Sequence, residues 1–70
     1  MSIEINDRVR LVVDLPDYDL RKGRVGVVVA EFLRPMHAYE IEFSDEDGET
    51  IAQVALLPKQ FCKIERPVRS

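Results

Sequence analysis

Residues 39–43 read Tyr-Glu-Ile-Glu-Phe, a strict alternation of apolar and charged side chains. Only an extended strand, whose successive side chains point to opposite faces, puts Tyr39, Ile41 and Phe43 on one side and Glu40 and Glu42 on the other. The segment is therefore expected to be a half-buried strand with aromatics inward and glutamates outward. Residues 44–49 carry Asp47-Gly48 near their middle, and Asp-Gly readily supplies the positive φ of a hairpin turn. A fourth strand is then predicted from Thr50 to about Leu56. Ala52, Val54 and Leu56 would face inward opposite Ile51, Gln53 and Ala55, with the reverse register left open.

Upstream, Val9, Leu11, Val13 and Leu15 alternate with Arg8, Arg10, Val12 and Asp14, which predicts a first strand over residues 7–15. Pro16-Asp17-Tyr18-Asp19 ends it, because Pro cannot donate to a ladder and Asp favours turns. A second strand is expected over residues 24–32. There the β-branched run of Val25, Val27, Val28 and Val29 leaves the two faces indistinct, and a glycine permits a bulge or a close backbone crossing. Residues 33–37 form the next connection. Leu57-Pro58-Lys59-Gln60-Phe61 suits a single helical turn, with Pro58 where its missing N–H is not needed. A short last strand over residues 62–65 is expected to end at Pro67.

The predicted class is thus all-β. Five short strands, with one helical turn before the last, are similar in order to a small five-stranded SH3-like barrel. The expected organisation is an N-terminal segment over residues 1–6, the barrel over 7–65 and a C-terminal tail over 66–70. A chain of 70 residues buries only about 60% of its unfolded surface, and a core of that size rarely nets more than roughly 3–5 kcal/mol without a staple. A lone Cys62 cannot form an internal disulfide, so a second subunit is one expected source of further stability, and a homodimer is a candidate state.

Charge is unevenly distributed. Residues 40–58 hold Glu40, Glu42, Asp45, Glu46, Asp47 and Glu49 with no Lys or Arg, whereas residues 1–39 hold six acids and six bases. A formal net charge of −3 argues against nonspecific nucleic-acid binding, which depends on neutralising phosphates. The start Met-Ser-Ile-Glu has no basic segment followed by an apolar run, and no apolar stretch approaches the length of a bilayer span. With one unpaired cysteine, these features lead us to expect a cytoplasmic protein.

Several stretches together resemble a family of small bacterial proteins known as domain-of-unknown-function family 4926. They are Asp7-Arg8-Val9, Asp14-Leu15-Pro16, Leu20-Arg21-Lys22-Gly23-Arg24-Val25-Gly26, Tyr39-Glu40-Ile41-Glu42-Phe43, Asp45-Glu46-Asp47-Gly48 and Leu57-Pro58. The resemblance runs from about Asp7 to Ile64 and implies an SH3-like fold; it transfers no catalytic residues. Lys22-Gly23-Arg24-Val25-Gly26-Val27-Val28 also looks like the glycine-bearing turn of KOW-type modules in ribosomal and transcription proteins. Those modules are commonly basic, and the acidic third strand and hairpin depart from them.

Catalysis requires a nucleophile beside a base, or carboxylates in contrasting environments. His37 is the single histidine and sits in a Pro-Met-His turn, where a plain loop residue is expected. Cys62, beside Phe61 and Ile64, is expected in the core or at its boundary rather than as a reactive thiol, and a Cys62–His37 dyad is the last choice. No enzyme activity, cofactor or metal site is expected; the acidic hairpin is too short for an EF-hand loop. The expected role is a protein-interaction module, an accessory or antitoxin-like small partner of another bacterial protein. Two surfaces are candidates: Asp17, Tyr18 and Asp19 in the first loop, and Glu40, Glu42, Asp45, Glu46 and Asp47 along the acidic strand and hairpin. An alternative nucleic-acid face would use Arg8, Arg10, Lys22 and Arg24 on phosphates, in a KOW-like RNA- or ribosome-associated module. Arg21 and Arg34 lie close to it in sequence.

Overall fold

The computed structural model describes residues 2–65. Its strands are β1 (Arg8–Leu11), β2 (Val25–Phe32), β3 (Ala38–Ser44), β4 (Thr50–Leu56) and β5 (Phe61–Lys63), with 3-10 turns at Pro16–Tyr18 and Pro58–Gln60. All five belong to one antiparallel sheet ordered β4-β3-β2-β1-β5. The tail over residues 66–70, including the expected stop at Pro67, lies outside the described residues.

The alternation in residues 39–43 does what its period dictates. Tyr39, Ile41 and Phe43 are buried while Glu40 and Glu42 are half-buried on the opposite face. β4 takes the register with Val54 opposite Ile41 and Leu56 opposite Tyr39, so Val54 and Leu56 are buried and Ala52 packs against the core. Val9, Leu11, Val28, Leu20 and Phe61 complete the inner face. Val28 and Gly26 are the buried positions of β2. A Cβ on Gly26 would stand 2.6 Å from Ile41 Cγ2 and 2.9 Å from Phe43 Cε1, so this glycine admits the close approach of β3's large side chains.

The end of β1 and the place of β5, with Cys62, need correction. β1 ends at Leu11, not Leu15, because the chain leaves the ladder there: the Val12 N–H donates to Gln60 O at 3.0 Å, and Leu15 instead forms an isolated bridge with Leu20. Of the two roles expected for a glycine of β2, Gly26 takes the close crossing, and the bulge lies elsewhere. Pairing steps from Val28 opposite Ile41 to Ala30 opposite Glu40, leaving Val29 as the extra residue of a bulge. β5 begins at Phe61 and ends at Lys63, and because Phe61 points inward, Cys62 points outward opposite Arg10 and is exposed. Ahead of β1, the Asn6 N–H donates to Val28 O at 2.7 Å, and Ile3 packs on the core.

The β3–β4 hairpin closes as a type I turn with a left-handed glycine. The Gly48 N–H donates to Asp45 O and the Asp45 N–H to Glu49 O, and only Gly48 takes positive φ, at 83°. One Asp45 Oδ1 accepts from both the Asp47 and Glu49 N–H groups.

Candidate functional site

The first loop is short but thoroughly fixed. Leu15 and Leu20 exchange N–H···O bonds of 2.8 and 3.1 Å, the Tyr18 N–H donates to Leu15 O, and the Asp19 N–H donates to Pro16 O. Pro16 starts the 3-10 turn, and Asp19 ends it in the left-handed region at φ 56°, a conformation its short polar side chain tolerates. Leu20 is buried at 1% exposure and anchors the turn. The ring of Tyr18 is thereby held 50% exposed, with the exposed residues Asp17 and Asp19 on either side.

The acidic set divides by what each carboxylate already does. Asp45 is committed to its own turn. Glu42 accepts from Thr50 Oγ1 at 2.9 Å and Gln53 Nε2 at 3.2 Å, fastening β3 to β4 on the outer face. Glu40, Glu46 and Asp47 have no side-chain hydrogen bond or ion pair among the described residues. Among the described residues no such bond joins the turn holding Asp17, Tyr18 and Asp19 to the acidic hairpin.

Of the basic set, Arg8 and Arg10 share the outer face of β1. Arg10 Nη1 donates to Gly23 O at 3.4 Å, and Lys22 and Arg24 line a shallow groove with Asp19, Arg21 and Gly23. Arg24 Nη2 donates to Ser44 O at 3.0 Å, so the cationic loop touches the base of the acidic hairpin. Three of the four expected cations therefore gather at one end of the sheet, with Arg8 one turn of the pleat away.

Sequence reasoning passed over the β2–β3 connection. Phe32, Leu33 and Met36 are 41%, 71% and 58% exposed, three large apolar side chains within five residues. His37 Nε2 lies 2.8 Å from Glu31 Oε2, and the His37 ring packs against Tyr39 with centroids 4.9 Å apart. Burial raises the pKa of the Tyr39 hydroxyl, and the Glu31 carboxylate, as a nearby charge and as a hydrogen-bond acceptor, raises it further. These groups pin the hairpin. Cys62 stands on the outer face by Arg10, away from the side that Phe61 shares with Tyr39, so the fold does not pair it with His37.

Among the described residues no group of three or more His, Cys, Asp or Glu side chains converges as a metal site, and no helix is long and apolar enough to cross a membrane. The fold and its surfaces define a small all-β protein built on one antiparallel sheet, with a fixed aromatic turn and charge segregated at one end. The chain belongs to the family described as Domain of unknown function (DUF4926), whose family model matches residues 5–63. No curated protein and no solved structure matches it.

Proposed function

We propose that this chain is a non-catalytic protein-interaction module of the bacterial cytoplasm, an accessory or antitoxin-like partner built on an SH3-like barrel. The strand order, the 3-10 turn ahead of β5 and the meeting of Tyr39 with Phe61 across the inner face support the barrel. The observation that carries the binding role is the Tyr18 turn. An aromatic ring with a polar tip, fixed in advance between two carboxylates, loses little entropy on binding and suits a protein surface bearing basic side chains. The exposed Phe32, Leu33 and Met36 add the apolar and methionine character enriched at such interfaces. The decisive experiment captures partners from native lysate with the wild-type chain and with Tyr18→Ala. A stoichiometric protein retained by the first and lost by the second supports the reading; equal retention by both removes the Tyr18 turn as the site.

The groove of Arg21, Lys22 and Arg24 favours a second reading, a KOW-like RNA- or ribosome-associated module. It requires RNA binding that weakens steeply with salt. Absence of binding at low ionic strength eliminates it.

A further inference from the structure

An antiparallel sheet ordered β4-β3-β2-β1-β5 leaves two edges. β5 is blunted by its three-residue length and by Lys63, whose Nζ lies 3.3 Å from Asp7 Oδ2. β4 carries neither of these. Its seven residues, Thr-Ile-Ala-Gln-Val-Ala-Leu, contain no charge and no proline, it packs chiefly on β3, and its one irregularity is a bulge at Ile51, near the hairpin end, where pairing steps from Phe43–Ala52 to Ser44–Thr50. Every second N–H and C=O of such a strand points away from its one neighbour, and no other described segment hydrogen-bonds to that side. An uncharged edge of this length is a template for another strand.

We infer that a second copy of this chain covers β4, the two β4 strands pairing antiparallel about a two-fold axis at Gln53. The argument is self-complementarity, which an isologous interface demands. About Gln53 the axis sets Ala52 opposite Val54 of the other copy, and Ile51 opposite Ala55. Val54 thus meets an alanine on the inner face and Ile51 one on the outer, while Leu56 falls by Thr50 at the strand end. Gln53 meets Gln53, whose amides both donate and accept. No like charges are brought together on the strands themselves. The nearest acidic pair, Glu42 and its symmetry mate, lies three strand spacings apart, about 14 Å, which exceeds the screening length of about 8 Å at physiological salt. Paired sheets also give a small core the support of a second subunit. This inference is independent of the Tyr18 surface.

Sedimentation of the full chain over a range of concentrations tests it. The wild type is expected to approach twice the 8.1 kDa chain mass. Gln53→Lys, which sits beside Glu42 in its own chain but against its like across the axis, should weaken association about tenfold. An equimolar mixture of Gln53→Lys and Gln53→Glu should recover it. Ala55→Lys, beside Glu40, is the companion variant should Gln53→Lys lose its native circular dichroism. Amide exchange in residues 51–55 should slow in step with the dimer fraction. A wild type that is monomeric at every concentration overturns the inference, including when those amides are protected only by a different protein. So does a dimer whose residues 51–55 exchange freely, or one indifferent to charge at both positions.

Discussion

The ring of Tyr39 stands edge-on to the ring of Phe61, centroids 5.7 Å apart and planes at 89°. In the sheet, β2 and β1 separate their strands. Laid flat, three strand spacings would put the two backbones about 14 Å apart. The sheet must therefore curl over its inner face, and the edge-to-face contact marks where the curl brings distant strands together.

That contact makes Tyr39 the residue through which alkali should act. Its folded-state pKa is raised above the ordinary 10.0, so the neutral form is favoured by folding. The associated stability is complete below pH 10 and is lost as pH rises through the folded value. Thermal melts of wild type and Tyr39→Phe should differ by a constant amount below pH 10. Above it the wild type should lose stability faster than the variant.

Gly26→Ala should destabilise by about 1–3 kcal/mol, the ordinary cost of overpacking, because the new methyl would meet Ile41, Glu42 O and Phe43 within 3 Å. Phe43→Ala, at a fully buried position, should cost about 3–5 kcal/mol. That equals the whole expected stability of a domain this small. Urea titrations should show a lowered midpoint for the first and an unfolded baseline for the second.

Tyr18→Ala should shift stability by no more than about 0.5 kcal/mol, since the turn is held by backbone bonds and by Leu20 rather than by the ring. Unchanged denaturation together with lost partner capture separates a binding role from a packing one.

Cys62 should react with a thiol reagent in the native state, one equivalent per chain, without denaturant. A thiol that titrates only after unfolding would contradict its outward orientation beside Arg10.

The parts legible in the sequence were those where period and burial agree. β4 runs over the very residues expected, Thr50–Leu56, and the inner positions of β3 follow from five residues of alternation. Alternation alone could not end β1, because Val13 and Leu15 continue the pattern while packing as half-buried residues outside the ladder. The apolar neighbours of Cys62 suggest a core position, but its parity with the inward Phe61 sets it outward opposite Arg10. The exposed trio Phe32, Leu33 and Met36 has no local signature, since an apolar side chain in a connection reads the same whether a core awaits it or not. For the candidate site, the residue types were legible and the geometry was not. Nothing in the spacing announces that Asp45 and Glu42 are already engaged, or that Arg24 reaches Ser44.

The bulge at Val29 decides the fate of one side chain in particular. With unbroken parity from Gly26 and Val28, Phe32 would continue the inward series and Glu31 would face out. One surplus residue exchanges them: Glu31 comes opposite Tyr39 to meet His37, and Phe32 comes opposite Ala38 on the outer face. Absorbing Val29 into regular pairing would thus invert the end of the hairpin, drawing an aromatic inward and expelling the carboxylate that holds the tip, whereas deleting Val29 would leave both side chains on their present faces. The surface aromatic at this end of the molecule is a matter of counting, set by register before any side chain chooses its environment.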